Sequence, residues 1–264
     1  MTSGPPDDRK RQRASVIASE LAWHENEVQR RNVLGFLYAS PAFDAVVEAG
    51  LAFVQAQPDE PVLDMGCGAG DEPLALAEVG ARVIATDLSV AQIVLARQHV
   101  RAHYPDAQVC FVQANAEEMP LVSGAVRVIY GKAILHHLDL DLAAAEVSRL
   151  LQPGGRASFA EPMARHPLFW LARRLSPRLR TADEHPLTYG DLHRFARSFE
   201  SSHIKGVFLF APLAYIFRFV PGGEPLFRRC HSLLLRLDEA LLSVFPLLRE
   251  LTWYGIVNVE KRGE

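Results

Sequence analysis

The sequence predicts an α/β fold: a doubly wound, Rossmann-like, mostly parallel sheet of seven strands, with N-terminal helices and a helical cap inserted between the last two strands. Three observations support this prediction. Apolar, β-branched runs alternate with helical stretches through residues 58–161, a glycine-rich loop follows the first run, and a leucine-rich insertion separates the last two. Strands that alternate with helices at this spacing form parallel βαβ units covered on both faces.

Composition sets broad limits on the protein. With 264 residues, 49% of them hydrophobic, the chain can bury the core of one large α/β domain. Its net charge of −3 argues against a nucleic-acid partner, which normally requires a basic surface. Cys67, Cys110 and Cys230 form no CxxC pair, so we expect no disulfide framework, no metal site and a reducing, cytoplasmic location.

The chain divides into three parts after a polar beginning. We predict a disordered lead-in over residues 1–12 and a single domain over 13–264, which comprises helices at 13–57, a ligand-binding core at 58–161 and a substrate-side segment at 162–264. The longest apolar run, residues 207–220, is too short to span a membrane. The predicted strands are residues 61–65, 82–87, 107–114, 125–130, 156–161, 203–210 and 253–260.

Two helices are predicted after residue 161. The segment from Thr188 to Asp191 has the pattern of a capping box and predicts a helix that ends near Phe199. Between the last two strands, apolar residues recur every three or four positions from Leu226 to Phe245. This spacing is typical of a helix with a broad apolar face, and we place the helical cap at about residues 211–248.

The loop after the first strand carries Gly66, Gly68 and Gly70, and we predict Asp71 as the N-cap of the helix that follows. Such a loop lets a ligand approach the backbone, in a dinucleotide site or in a site for another nucleoside. Asp87 ends the second strand, where a carboxylate can accept hydrogen bonds from ribose hydroxyls. Asp64 precedes the loop and would repel a pyrophosphate, so the site favours a cationic ligand.

Five segments, in order through residues 60–161, resemble the class I S-adenosylmethionine-dependent methyltransferases of the small-molecule type. They are VLDMGCGAG, ATDLS, ANAEEMP, VIYGKAILHHL and LLQPGGRASFAEP. The resemblance implies S-adenosyl-L-methionine as cofactor. The contacts it implies are Asp64, Gly66, Cys67, Gly68 and Gly70 for the methionine portion, Asp87 for the ribose, Leu88, Asn115 and Ala116 for the adenine, and Tyr130 and Gly131 for the sulfonium region.

This chain departs from the family pattern at one contact residue. Asn115 stands where the resembling enzymes usually have Asp. An amide oxygen can still accept a hydrogen bond from the adenine amino group, so we expect binding to survive.

His136 and His137 are adjacent after the fourth strand. If they begin a helix, their side chains point about 100° apart, which argues against a shared metal ion. The resemblance implies that His136 lines the active site and that His137 packs. Glu161 ends the fifth strand, at the edge where ligands bind in parallel sheets. His136 and Glu161 are therefore the candidate catalytic residues, with packing and capping as the alternative roles.

His166 and the cluster of Asp183, Glu184 and His185 belong to loops expected at the same edge, although capping or solvated roles are favoured for them. The arginines after Glu161 suit an anionic group of a substrate or form a solvated basic face. These arginines are Arg173, Arg174, Arg178 and Arg180.

The leucine-rich insertion either covers an apolar substrate pocket or closes a small core of its own. Together these features predict a methyltransferase that acts on a small, apolar or amphiphilic acceptor, such as a lipid, prenyl compound, polyketide or other secondary metabolite. Alternatives are a protein or RNA methyltransferase, a non-catalytic cofactor-binding protein and an oxidoreductase. Peripheral membrane contact through the same surface, and the oligomeric state, stay open.

Overall fold

A computed structural model of the chain describes residues 13–22, 41–175 and 186–263. Its strands form one seven-stranded sheet in the order β3-β2-β1-β4-β5-β7-β6, which confirms the predicted fold class. The strands are β1 Pro61–Met65, β2 Arg82–Asp87, β3 Val109–Gln113, β4 Val126–Lys132, β5 Leu151–Pro162, β6 Ser201–Val207 and β7 Tyr254–Glu260. Strands β1 to β5 run parallel, whereas β7 is antiparallel to both β5 and β6.

The described helices alternate with these strands. They are α1 (13–22), α2 Pro41–Val54, α3 Asp71–Glu78, α4 Val90–His103, α5 Leu140–Leu150, α6 Pro167–Leu175, α7 Tyr189–Ala196 and α8 Glu224–Val244. Short 3-10 helices cover Leu135–His137, Ala211–Phe219 and Pro246–Leu251. Among the residues described, no helix is both long and apolar enough to cross a bilayer.

The core lies on both faces of the sheet because successive side chains of each strand point in opposite directions. Val62 of β1 packs in a cluster with residues of α2, α3 and α4. Its neighbour Leu63 packs in the opposite cluster, with residues of α5 and α7. The order of the strands reverses between β1 and β4, and in open parallel sheets this is where ligands bind.

A buried carboxylate links the long helix of the cap to the segment that follows β6. Asp238 of α8 accepts hydrogen bonds from the backbone amides of Leu209, Phe210 and Ala211, at 2.9, 2.8 and 3.1 Å. Aromatic side chains of the cap, including Tyr215 and Phe227, pack with the sheet in one apolar cluster. The cap therefore closes a core of its own against the sheet.

Several boundaries differ from the predictions; β6, predicted at residues 203–210, is Ser201–Val207. Asp71 is the first residue of α3, and the N-cap is Gly70, because Gly70 takes the left-handed conformation (φ 99°) that leads directly into the helix. Strand β5 begins at Leu151, which pairs with Val126 of β4. The capping box of Thr188 and Asp191 is confirmed, although α7 ends at Ala196.

Candidate functional site

A cavity of about 230 Å³ opens at the C-terminal ends of β1, β2, β3 and β4. Its walls come from the glycine loop, the end of β2, the turn after β3, the turn after β4 and helix α1. Six of the predicted cofactor residues line it: Gly66, Gly68, Asp87, Leu88, Asn115 and Ala116. Among the described lining residues, none belongs to the cap.

The glycine loop requires its glycines for two different reasons. A Cβ atom on Gly70 would lie 2.8 Å from the Ala96 Cα, so a side chain there would push α4 away. Gly68 also has a positive φ, 46°, but a Cβ there would meet nothing within 4 Å. Gly70 therefore keeps the loop packed on α4, whereas Gly68 leaves the cavity wall open to a ligand.

Asp87 is held in place by backbone amides. Its Oδ2 accepts a hydrogen bond from Gly68 N at 3.0 Å, and its Oδ1 accepts one from Ser89 N at 2.9 Å. The carboxylate therefore joins the glycine loop to the start of α4. Each carboxylate oxygen has a second lone pair, so Asp87 can still accept from a ribose hydroxyl in the cavity.

Acidic groups surround the glycine loop. Asp64 is fully buried, and neither of its carboxylate oxygens accepts a hydrogen bond from a described residue. Burial, with smaller contributions from Glu72 and Asp87, raises the pKa of Asp64 well above its ordinary value. These acids favour a cation and oppose a pyrophosphate, as Asp64 alone suggested.

Lys132 and Arg13 are cationic residues of the cavity wall. Burial opposes the charge of Lys132, but its ion pair with Glu72 raises the pKa of Lys132. The segment VIYGKAILHHL contains Lys132, but no role was predicted for it. Its position one residue beyond Gly131, at the end of β4, was the available signal.

Cys67, Gly70, Tyr130 and Gly131 lie behind the cavity wall. Burial raises the pKa of the Cys67 thiol, which makes it an inert packing group. The Tyr130 ring faces α2, where a Cβ atom on Gly50 would lie 2.6 Å from its Cε2. Beyond these residues the wall is formed by Lys132, Ala133 and Ile134. The predicted cofactor contacts of these four residues behind the wall stay predictions.

The turn after β3 carries the predicted adenine contacts. Asn115 Oδ1 accepts a hydrogen bond from Glu117 N at 3.0 Å, and Asn115 O accepts from Glu118 N at 3.0 Å. Asn115 therefore shapes its own turn, and its predicted hydrogen bond to adenine would use the second lone pair of the amide oxygen.

His136 and Glu161, the two candidate catalytic residues, are in contact. His136 Nδ1 lies 2.7 Å from Glu161 Oε2, and both side chains are buried. The other oxygen of Glu161 accepts hydrogen bonds from Ile134 N and Leu135 N, at 2.9 and 2.8 Å. Glu161 therefore fixes both the turn after β4 and the orientation of the imidazole. When Nδ1 donates to Glu161, Nε2 is the nitrogen that accepts a proton.

His137 differs from its prediction. The chain forms a 3-10 turn at Leu135–His137, and α5 begins only at Leu140, after Asp139 as N-cap. The two residues therefore lie on a 3-10 turn and not at the start of α5, and their ring centroids lie 4.1 Å apart. His137 lines the cavity, whereas His136 is not among the described lining residues.

Helix α1 covers the cavity. Its Glu20 Oε2 lies 2.9 Å from His137 Nδ1, and its Arg13 forms an ion pair with Glu117. Val16 and Ile17 of the same helix line the cavity. The sequence predicted this helix but not its position over the cavity, because helical spacing does not reveal what the apolar face contacts.

His166 has a capping role. Its Nε2 lies 3.2 Å from Leu209 O, its Nδ1 accepts a hydrogen bond from Phe169 N at 3.3 Å, and burial lowers its pKa. His166 is therefore a neutral cap of α6. Asp183, Glu184, His185, Arg178 and Arg180 lie outside the described residues, as does the side chain of Arg173.

Arg174 is exposed, with its guanidinium 5.5 Å from the centroid of the Trp170 ring. No three His, Cys, Asp or Glu side chains meet as a metal site within the described ranges.

Part of the chain is similar to known methyltransferases. Residues 62–155 match the family described as a methyltransferase domain. The O-methyltransferase cnsE of Penicillium expansum is 32% identical over 122 residues, which cover 46% of this chain and 44% of that protein. A malonyl-[acyl-carrier protein] O-methyltransferase of Serratia marcescens is 31% identical over 133 residues, covering 47% and 50%. The matched region thus spans about half the length of these relatives.

Solved structures share the fold at lower identity. Geranyl diphosphate C-methyltransferase from Streptomyces coelicolor A3(2), solved with Mg²⁺, geranyl diphosphate and S-adenosyl-L-homocysteine, has a TM-score of 0.58 and 20% identity, over 83% of this chain and 80% of that chain. At this identity the likeness establishes the fold alone.

Proposed function

We propose that the chain is a class I S-adenosylmethionine-dependent methyltransferase that transfers a methyl group from S-adenosyl-L-methionine to a small, apolar or amphiphilic acceptor, in keeping with the match of residues 62–155 to a methyltransferase domain. The observation that carries this proposal is one cavity with two kinds of wall. The glycine loop and Asp87 form an acidic wall, and Val16, Ile17 and Ile134 form an apolar wall.

The acidic wall fits the cofactor. S-adenosyl-L-methionine supplies an electrophilic methyl group on a sulfonium, and its amino group is also cationic. Asp64, Glu72 and Asp87 give the loop a negative potential that favours both charges. Asp87 would bind the ribose, Lys132 would bind the carboxylate, and the turn at Asn115 would hold the adenine. Gly66 and Gly68 let the backbone approach the methionine portion.

The apolar wall supports the acceptor class. Val16 and Ile17 from α1 and Ile134 and Leu138 from the turn after β4 line the cavity. Arg13, Glu20 and His137 line the same part of the cavity, so it offers polar partners beside an apolar surface, as an amphiphilic acceptor requires. Geranyl diphosphate, the ligand named for the Streptomyces coelicolor neighbour, combines an apolar chain with an anionic end. In this chain the arginines near Arg174 would bind such an end.

Methyl transfer mainly requires alignment of the two substrates, exclusion of water and removal of a proton from a neutral acceptor. Helix α1 excludes water by covering the cavity. We assign the proton to His136 Nε2, with Glu161 as the partner that orients the ring. His137 is the second candidate because it lines the cavity.

A cytoplasmic location is part of this proposal. The three cysteines are free, as a reducing compartment requires. The acidic balance and the apolar wall give no support to a protein or RNA acceptor.

Two experiments test the proposal. Calorimetry should give binding of S-adenosyl-L-homocysteine and none of NAD. Transfer from methyl-labelled cofactor should then be measured on prenyl, polyketide, quinone and fatty-acyl compounds beside hydrophilic metabolites, peptides and RNA. Labelling of the hydrophilic set alone would contradict the acceptor class, and cofactor binding without turnover on any compound would support the non-catalytic alternative.

A further inference from the structure

The exposed apolar side chains of the protein are concentrated on the cap. Of the 21 large hydrophobic side chains that are exposed among the described residues, 12 lie between Phe210 and Leu251. A monomeric soluble protein rarely exposes a large contiguous apolar patch unless it binds something there. This concentration requires an occupant.

The apolar side chains follow one side of α8. Leu226, Leu233, Leu237 and Val244 are separated by seven, four and seven positions, so they lie along one face, and all four are exposed. The buried residues of α8, among them Phe227 and Asp238, belong to a different face. We call the first set the outer stripe. At 21 residues α8 is about 30 Å long.

Exposed apolar side chains also occur just before and just after α8. Phe219 is 70% exposed in the turn before the helix, and Leu247 is 84% exposed after it. Val220 and Phe245 are exposed beside them. Exposed apolar side chains therefore accompany the outer stripe in the segments on either side of the helix.

Two exposed cations lie along one side of the stripe. Arg229 and Arg236 are exposed, seven positions apart, and form no ion pair with a described residue. The acidic residues on and beside the cap do not pair with these two arginines. Glu224 pairs with Arg218 and Arg228, Glu250 with Arg165, and Glu239 approaches Lys205, while Asp238 is buried. The charge beside the stripe is positive, although the whole chain is acidic.

The charges argue against a second copy of this chain as the occupant. Two-fold antiparallel packing of α8 on its own stripe would place Arg236, near the middle of the helix, beside Arg236 of the other copy. A single acidic helix from another protein would pair with the arginines. It would cover the stripe but not the protruding side chains at both ends. A flat anionic surface accommodates the stripe, both ends and the arginines together.

We propose that the cap binds the surface of an anionic lipid bilayer, with α8 lying parallel to the membrane plane. The outer stripe and the side chains of Phe219 and Leu247 enter the headgroup region, while Arg229 and Arg236 contact lipid phosphates. This is the arrangement of an interfacial amphipathic helix with a cationic border. The inference concerns a different surface from the cavity and does not depend on the proposed methyl transfer.

Vesicle flotation of the full chain tests the proposal. The probes are vesicles of phosphatidylcholine alone and of phosphatidylcholine with 30% phosphatidylglycerol. We expect co-flotation with the anionic vesicles, weakened by salt, and little with the neutral ones. Leu233→Ser with Leu237→Ser should reduce binding about tenfold, and Arg229→Glu with Arg236→Glu about thirtyfold or more.

Matched controls lie on other helices. Leu142→Ser on α5 changes a leucine of similar exposure, and Arg101→Glu on α4 reverses an exposed arginine. Both should float as the wild type does, and all variants should still bind S-adenosyl-L-homocysteine. Failure of the wild type to float with anionic vesicles overturns the proposal, as does an equal loss in the controls.

Light scattering during size-exclusion chromatography tests whether a second copy of this chain covers the stripe instead. A concentration-dependent dimer that the stripe double variant abolishes would assign this face to a second copy and overturn the proposal. A monomer at every concentration, with flotation lost only in the stripe and arginine variants, supports it.

Discussion

The glycine-loop edge of the sheet and the cap are built in different ways. At the edge, positive φ angles restrict the residue type at Gly66, Gly68 and Gly70. Acidic groups, Asp64 and Asp87, surround this loop. In the cap, one carboxylate and an apolar core hold α8 to the sheet, while the outer stripe is exposed. The comparison shows that a ligand site demands particular residue types, whereas a packed element demands only a suitable pattern.

The largest expected effect is on the attachment of the cap. Asp238→Ala should lower the free energy of unfolding by about 4 kcal/mol, because three backbone amides lose a charged acceptor. Chemical denaturation measures this change, with exposed Glu239→Ala as the control. Hydrogen exchange should be fastest at Leu209 to Ala211. A small loss of stability would mean that apolar packing alone attaches the cap.

The loop edge should be almost as sensitive to one added methyl group. Gly70→Ala should cost about 3 kcal/mol, because it combines a left-handed backbone with a clash on Ala96. Gly154→Ala is the matched control, since its φ is 70° and its Cβ would meet nothing within 4 Å, so about 1 kcal/mol is expected. Equal effects in denaturation would remove the packing role assigned to Gly70.

Asp87 should matter for the cofactor more than for the fold. Asp87→Ala should weaken binding of S-adenosyl-L-homocysteine about 100-fold, through loss of the ribose contact and of the hydrogen bond from Gly68 N. Calorimetry measures the affinity, and circular dichroism checks that the variant stays folded. Unchanged affinity would count against the whole assignment of the cavity.

Substitutions of the two histidines should have different kinetic effects, one on turnover and the other on closure of the cavity by α1. His136→Ala should lower kcat about 100-fold with little change in cofactor affinity, since a positioned base contributes about that much. His137→Ala removes the contact with Glu20, so it should mainly loosen α1 and raise the acceptor KM. Steady-state kinetics distinguishes the two, and the reverse pattern would make His137 the base.

The smallest effect is a gain of stability. Asp64 has a pKa raised by burial, so the folded state holds its proton more tightly than the unfolded chain does. Its contribution is therefore most favourable below about pH 4, the ordinary Asp value, and is lost as pH rises through the folded pKa. Asp64→Asn should remove this slope and stabilise the protein at pH 7 by roughly 1 kcal/mol.

Thermal melts of the wild type and Asp64→Asn across this pH range check the sign. Cofactor affinity should fall in the same variant, because one of the charges that favour the cation is gone. Parallel pH profiles of the two proteins would show that Asp64 is not a buried, unfavourable charge in the free protein.

The sequence by itself determined the sheet, the glycine loop and the position of Asp87. Each depends on local demands: alternating burial along a strand, a left-handed backbone at glycine, and a carboxylate at a strand end. It also identified His136 and Glu161 separately, and YGKA contained Lys132 without showing that its side chain reaches the cavity.

Only the tertiary structure decided which side chains meet. It joined His136 to Glu161, turned His137 toward the cavity, used His166 as a cap and laid α1 over the site. It also divided the leucine-rich helix into a buried face and an outer stripe. Helical spacing gives the direction of each side chain relative to its own helix, but the partner is set by contacts between residues far apart in the chain.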